Sequence, residues 1–200
     1  MISLVLGLGN IGTRYNGTRH NTGFEALSRL AGELNAVTGA RRDHYEFAVK
    51  PTGREPAIDR EVFLAWPTTL MNRSGLAVRV LLDDFELELS EMLVVVDDIN
   101  LPLGTLRFRA DGSDGGHNGL ASIIGELGTG DFQRLRLGIG PPVDTEDIAE
   151  FVLSRFLAEE TERVKTMLDT ACKAVMFAID HRLEEAMMRY NSCPALPEDM

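Results

Sequence analysis

Five side chains able to do chemistry stand where apolar stretches of the chain hand over to polar ones. His20 lies in Thr18-Arg19-His20-Asn21, and Asp97 directly follows the apolar run Met92–Val96. Asn10 belongs to Gly7-Leu8-Gly9-Asn10-Ile11-Gly12, Asn72 to the stretch 67–75, and Asn118 to the glycine-rich stretch 111–120. An imidazole titrates near neutrality and can take a proton from water. A carboxylate at the end of a central strand can accept from one ring nitrogen, fix the tautomer and leave the other nitrogen basic. Side-chain amides can hold a carbonyl while charge develops on it. There is no serine nucleophile elbow, no cysteine in a catalytic setting and no metal-type spacing of ligands. The set therefore suits hydrolysis by an activated water more than covalent or metal chemistry.

Each feature taken singly has a more ordinary explanation. An asparagine at a helix start is most often a cap. Asp98, next to Asp97, reads as a solvated turn acid. His44 reads as lying in a strand and His181 on a long helix; neither has polar neighbours in sequence, and neither is given a role. Gly7–Gly12 matches the dinucleotide fingerprint literally, but an Asn16-Gly17 turn falls where the helix of that motif should continue, and no acid follows at the required distance. The glycines then serve to turn a loop tightly above a strand end.

The elements that must position these residues can be read from periodicity. Ile2–Leu8 is an apolar run closed by glycine, the pattern of a buried strand. Phe24, Leu27, Leu30, Ala31 and Leu34 follow helical spacing. Tyr45–Val49 and Val62–Trp66 read as strands on either side of a polar turn with Pro51, Gly53 and Pro56. A second helix follows Asn72, and Met92–Val96 reads as a central strand. Leu106 and Phe108 alternate with Arg107 and Arg109 on a half-buried strand. A short helix over Leu120–Leu127 and a strand over Leu135–Ile139 come next, then helices over 145–153 and about 159–190. Strands interleaved with helices predict an α/β fold: a single domain over 1–191, a twisted mixed β-sheet flanked by helices, with 192–200 as a frayed tail.

The chain has 200 residues, enough for one domain with a full core. No apolar run reaches the length of a membrane span, the N-terminus lacks a secretory pattern, and Cys172 and Cys193 form no metal-type or redox-type pair, which together fit a reducing cytoplasm. The net charge is −11, and the acidic excess is heavier after residue 142. Such a chain is a poor general binder of polyanions; any polyanion would dock on the first two-thirds. The basic residues between 80 and 154 are Arg107, Arg109, Arg134 and Arg136, which makes them the candidates for phosphate contacts, Arg136 foremost.

In sequence order, several stretches resemble the bacterial-type peptidyl-tRNA hydrolases. They are Gly-Leu-Gly-Asn at 7–10, Tyr15 with Thr18-Arg19-His20-Asn21, Pro67-Thr68-Thr69 with Met71-Asn72 and Ser74-Gly75, and Asp97-Asp98 with Leu101-Pro102. Gly115-Gly116-His117-Asn118-Gly119-Leu120 and Arg134-Leu135-Arg136-Leu137-Gly138-Ile139-Gly140 complete the set. The resemblance implies a cytoplasmic monomer that cleaves the ester between a peptide and the 3′ end of tRNA, engaging its acceptor stem, with no cofactor, metal, DNA or membrane involved. It implies that His20 activates water, that Asp97 keeps His20 basic, and that Asn10 tells N-blocked from free aminoacyl groups. Met71, Asn72 and Asn118 would position peptide and ester, and Tyr15, Leu70 and His117 would line the cleft.

The chain departs from the family pattern in places. Ile11 replaces a proline, Asn100 an aspartate, Leu70 an aromatic and Ala121 a lysine, and the stretch 141–147 is acidic where the family tends to be basic. The catalytic set is complete, while part of the phosphate clamp is missing. Two alternatives are a non-catalytic RNA-binding relative on the same scaffold and a small-molecule esterase or amidase.

Overall fold

The computed structural model describes residues 1–50, 61–141 and 147–191. Along the chain run β1 (Leu4–Gly7), α1 (Thr22–Glu33), β2 (Val37–Thr38), β3 (Tyr45–Val49), β4 (Phe63–Pro67), α2 (Ser74–Asp84) and β5 (Met92–Asp98). They are followed by β6 (Leu106–Arg109), α3 (Asn118–Leu127), β7 (Gln133–Gly138), α4 (Ile148–Leu153), α5 (Thr161–Asp180) and α6 (Leu183–Tyr190). The seven strands form one sheet in the order β2-β3-β4-β1-β5-β7-β6. The four inner strands β4, β1, β5 and β7 are parallel, and β3 and β6 join their neighbours antiparallel. The expected mixed sheet flanked by helices is therefore present.

The inner strands are apolar on both faces because helices cover both. Val5, Leu93 and Val95 pack with Leu27 and Leu30 of α1 and with Leu168, Val175 and Ile179 of α5. Leu4, Leu6, Val94 and Val96 point the other way, onto Val78 and Leu81 of α2 and Leu120 and Ile123 of α3. The chain thus leaves β1 toward one face and β4 toward the other, which opens a crevice beyond the carboxyl ends of these strands. Two glycines set its floor: a Cβ on Gly7 would stand 2.6 Å from the Gly23 carbonyl, and one on Gly23 2.5 Å from that of Val95. Only their absence lets the start of α1 rest directly on β1 and β5.

The structure differs from the sequence expectation in several places. The long C-terminal helix is two helices, because His181 takes an extended conformation (φ −127°, ψ 171°) at the end of α5. Its ring stacks on Phe177 with centroids 3.8 Å apart. His44 precedes β3 rather than lying in it, and β1 is shorter than the apolar run that marks it. The polar turn with Pro51, Gly53 and Pro56, the first residues of the expected 145–153 helix, and the tail 192–200 lie outside the described residues.

Candidate active site

His20 sits in a 3-10 turn, Arg19–Asn21, that leads straight into α1, and its imidazole is buried above the end of β5. Its Nδ1 lies 2.9 and 3.0 Å from the two oxygens of Asp97, the penultimate residue of that strand. A carboxylate that accepts from Nδ1 fixes the proton there and leaves Nε2 with its lone pair. Asp97 is buried and accepts a second hydrogen bond at 3.0 Å, from Nε2 of His117. The proton of His117 is assigned by its other nitrogen: Nδ1 accepts the backbone N–H groups of Gly119 and Leu120 at 3.1 and 3.2 Å. His117 thus caps α3 and passes that helix's donor character to Asp97. Burial alone would raise the pKa of Asp97, but the electrostatic attraction and hydrogen bonds of His117 and His20 outweigh it and hold the carboxyl well below the usual carboxylate range.

Asn10 is fixed on the other side of the same turn. Its backbone N–H donates to Oδ1 of Asn21 at 2.8 Å, and its carbonyl accepts from Asn21 Nδ2 at 3.0 Å. The side-chain oxygen of Asn10 accepts the N–H of Met71 at 2.9 Å, so the Nδ2 end is left as the donor. Met71 is itself buried and packs under Gly119, where a Cβ would stand 2.6 Å from its sulfur. These contacts therefore tie the loops after β1 and β4 and the end of β5 to the start of α3.

Beyond His20 opens a cleft of about 310 Å³, lined among others by Asp97, His117, Asn118, Arg136 and α4 residues Ile148 and Val152. His20, Asp97, His117, Asn118 and Arg136 are thus brought together, and Asn10 and Met71 are joined to them through the His20 turn. Tyr15, Leu70 and Asn72 are not among the cleft's lining residues. Tyr15 is half-buried under the Arg14 guanidinium, and Leu70 and Asn72 are exposed on either side of Met71. Asp98 corrects its expectation as a solvated acid: it is buried, receives Arg136 Nη1 at 3.1 Å and accepts the Asn100 N–H at 2.8 Å. Arg136 is thus engaged, with Nη2 on the Ser113 carbonyl at 3.0 Å. Arg134 is not a phosphate ligand. It is wholly buried over the Phe132 ring and donates to the carbonyls of Gly112, Ser113 and Gly130. Burial, with the Arg136 charge beside it, pulls its pKa down to about 10.

Two contacts of this site's framework have no signal in the sequence. Asn21 was visible next to His20, but only folding brings it against Asn10. His117 was assigned to the cleft wall, and its bond to Asp97 had no sequence signal. His20, Asp97 and His117 offer nitrogen and oxygen atoms within 4.8 Å of one another, a composition a cation could use. In each ring, however, the nitrogen that faces Asp97 is spent as an N–H donor to the carboxylate, which keeps in place the protons a metal would have to replace. Burial pushes the Cys172 thiol up to about 12, far from a nucleophile's range.

The peptidyl-tRNA hydrolase family model matches residues 4–198. The chain belongs to the peptidyl-tRNA hydrolase family. It is 44% identical over 191 residues to the peptidyl-tRNA hydrolase of Desulforudis audaxviator, covering 96% of this chain and 94% of that one. The Aquifex aeolicus enzyme of the same name is 43% identical over 93% of this chain and 94% of its own. In three dimensions the chain superposes on the crystal structure of the peptidyl-tRNA hydrolase of Acinetobacter baumannii with a TM-score of 0.87. That match has 30% identity and covers 98% and 97% of the two chains. Among the described residues, no helix is long and apolar enough to cross a membrane.

Proposed function

We propose that this protein hydrolyses the ester bond of peptidyl-tRNA, releasing free tRNA and peptide, with His20 as the general base. The observation that carries the reading is the buried Asp97 carboxylate accepting from His20 Nδ1 at 2.9–3.0 Å, inside a chain of this family. Water gives a proton to His20 Nε2 as its oxygen attacks the ester carbonyl carbon. The imidazolium formed is stabilised by Asp97. As the tetrahedral intermediate collapses, His20 returns the proton to the departing 3′ oxygen of the tRNA, and the peptide leaves with a free carboxyl group. Asn118, in the first turn of α3 and lining the cleft, holds the carbonyl oxygen, helped by the N-terminal dipole of that helix.

Asn10 reads the acyl group. Its oxygen is taken by Met71, so it offers a donor, which suits the amide carbonyl of an N-blocked residue and repels the ammonium of a free one. Met71 and Asn72 position the peptide, and Tyr15 and Leu70 edge the approach of the tRNA end. Arg136 meets a phosphate only by giving up part of its hold on Asp98. The reaction needs no metal or cofactor, and the protein acts as a cytoplasmic monomer on the acceptor stem and 3′ end of the tRNA.

The test is release of label from three substrates: an N-acetylated aminoacyl-tRNA, the same aminoacyl-tRNA unblocked, and a simple ester. The expected order is rapid, negligible and slow. Equal hydrolysis of the simple ester would assign a small-molecule esterase, and tRNA binding without turnover would assign an RNA-binding relative.

A further inference from the structure

We infer that Arg19 is a positioning residue for this reaction, fixing the cleft wall formed by α4 at its working distance from His20; the inference rests on the hydrolase reading above. The wall has little else to hold it. α4 is only six residues long and has no buried residue, so core burial does not pin it to the protein. It nevertheless lines the cleft with Ile148, Ala149 and Val152. The contact that pins it comes from the residue next to the proposed base.

Arg19 is buried, with 4% of its surface exposed. Its guanidinium lies over two rings, 4.5 Å from the centroid of Phe151 on α4 and 4.6 Å from that of Phe156 just beyond it. Nη2 donates to Glu160 Oε2 at 2.7 Å, Nη1 to the Ile139 carbonyl at 3.3 Å and Nε to Ser154 Oγ at 3.4 Å. The backbone N–H of Arg19 donates to the Ser154 carbonyl at 2.9 Å, and Thr18 bridges to Arg155. A planar, delocalised cation that lies over two rings and donates around its edge fits this slot, whereas an ammonium would not. Everything the Arg19 side chain grips is on the 139–160 stretch, while its own backbone continues directly into His20. Letting go would allow the wall and the base to drift relative to each other, and a misplacement of about 1 Å can cost on the order of 10²-fold in rate.

The experiment compares kcat, KM and tRNA affinity for Arg19→Ala, Arg19→Lys, Phe151→Ala and Glu160→Gln, using an N-acetylated aminoacyl-tRNA. For Arg19→Ala, kcat is expected to fall ~10- to 100-fold, with the Kd for uncharged tRNA within about twofold of wild type. Millimolar methylguanidinium should restore several-fold of that rate, and equal concentrations of urea or potassium chloride should not. A guanidinium ion weakens a merely loosened fold, so activation by it marks a refilled slot. Arg19→Lys should recover little, and Glu160→Gln combined with Arg19→Ala should be no worse than Arg19→Ala alone. Wild-type kcat in Arg19→Ala, or a loss that methylguanidinium does not reverse, would overturn the inference. If Arg19→Ala does not fold, Phe151→Ala and Glu160→Gln decide: lowered kcat in both supports it, and unchanged kcat in both rejects it. A wild-type protein inert toward this substrate would instead refute the hydrolase reading itself.

Discussion

The carboxylate of Asp97 accepts from His20 and His117 together, so changing it disturbs two rings at once. An amide in its place has one acceptor and adds a donor that must face one of two N–H groups. For Asp97→Asn we therefore expect kcat to fall by about 10² to 10⁴ and stability at pH 7 to drop by about 1–3 kcal/mol, measured by steady-state kinetics and urea unfolding. The pH dependence has a definite sign. A carboxyl held low in the folded state stabilises the protein fully above its unfolded pKa of about 3.9, and that contribution fades as the pH falls toward the folded value. The stability gap between wild type and Asp97→Asn should narrow as the pH falls below about 4; a gap that goes on widening below that pH would contradict it. The site was legible here to the extent that its residues announce themselves locally: His20 in its loop, Asp97 at the end of an apolar run. The clasp of Asn21 on Asn10 and the bond from His117 to Asp97 were not, because each depends on a contact that only the packed loops create. Asp98 was misread for the same reason, its partner Arg136 being on a strand that sequence could not pair with it.

At the level of elements, the approach of α1 to the sheet decides where His20 stands, since the His20 turn is the entry to that helix. Gly23→Ala would place a methyl 2.5 Å from the Val95 carbonyl and 2.6 Å from that of Leu8, backbone atoms that cannot step aside. We expect it to destabilise the fold by about 1–3 kcal/mol, seen as a lower Tm, and to lower kcat as the His20 turn lifts; an unchanged Tm would mean the helix rides further out than described. Every strand but β2 and most helices were legible because each shows one period over its length, whereas β2 is two exposed residues, too short to show any. The break between α5 and α6 was not, because Leu183 and Ala186 continue to face the same core as Val175 and Ile179, so the apolar spacing runs on across a chain that has turned.

For the whole molecule the question is how a chain of net charge −11 holds a polyanion. Of the four arginines between 80 and 154, Arg134 is buried and Arg136 is paired, which leaves Arg109 exposed and Arg107 half-buried. Ala121 is exposed in the first turns of α3, beside the cleft and where the family commonly has a lysine. We expect Ala121→Lys to tighten tRNA binding, to steepen the log–log salt dependence by roughly 0.7 to 0.9, and to lower KM more than it changes kcat. Titrations at several salt concentrations check this. Unmoved affinity and slope would mean that tRNA does not cross the start of α3.

The central claim is that His20, oriented by Asp97, takes the proton from the attacking water. The most direct measurement is single-turnover hydrolysis of an N-acetylated aminoacyl-tRNA by His20→Ala, alongside its affinity for uncharged tRNA. The account predicts a rate lower by about 10² to 10⁴ with binding and Tm close to wild type. A His20→Ala protein that cleaves the ester at nearly the wild-type rate would contradict it.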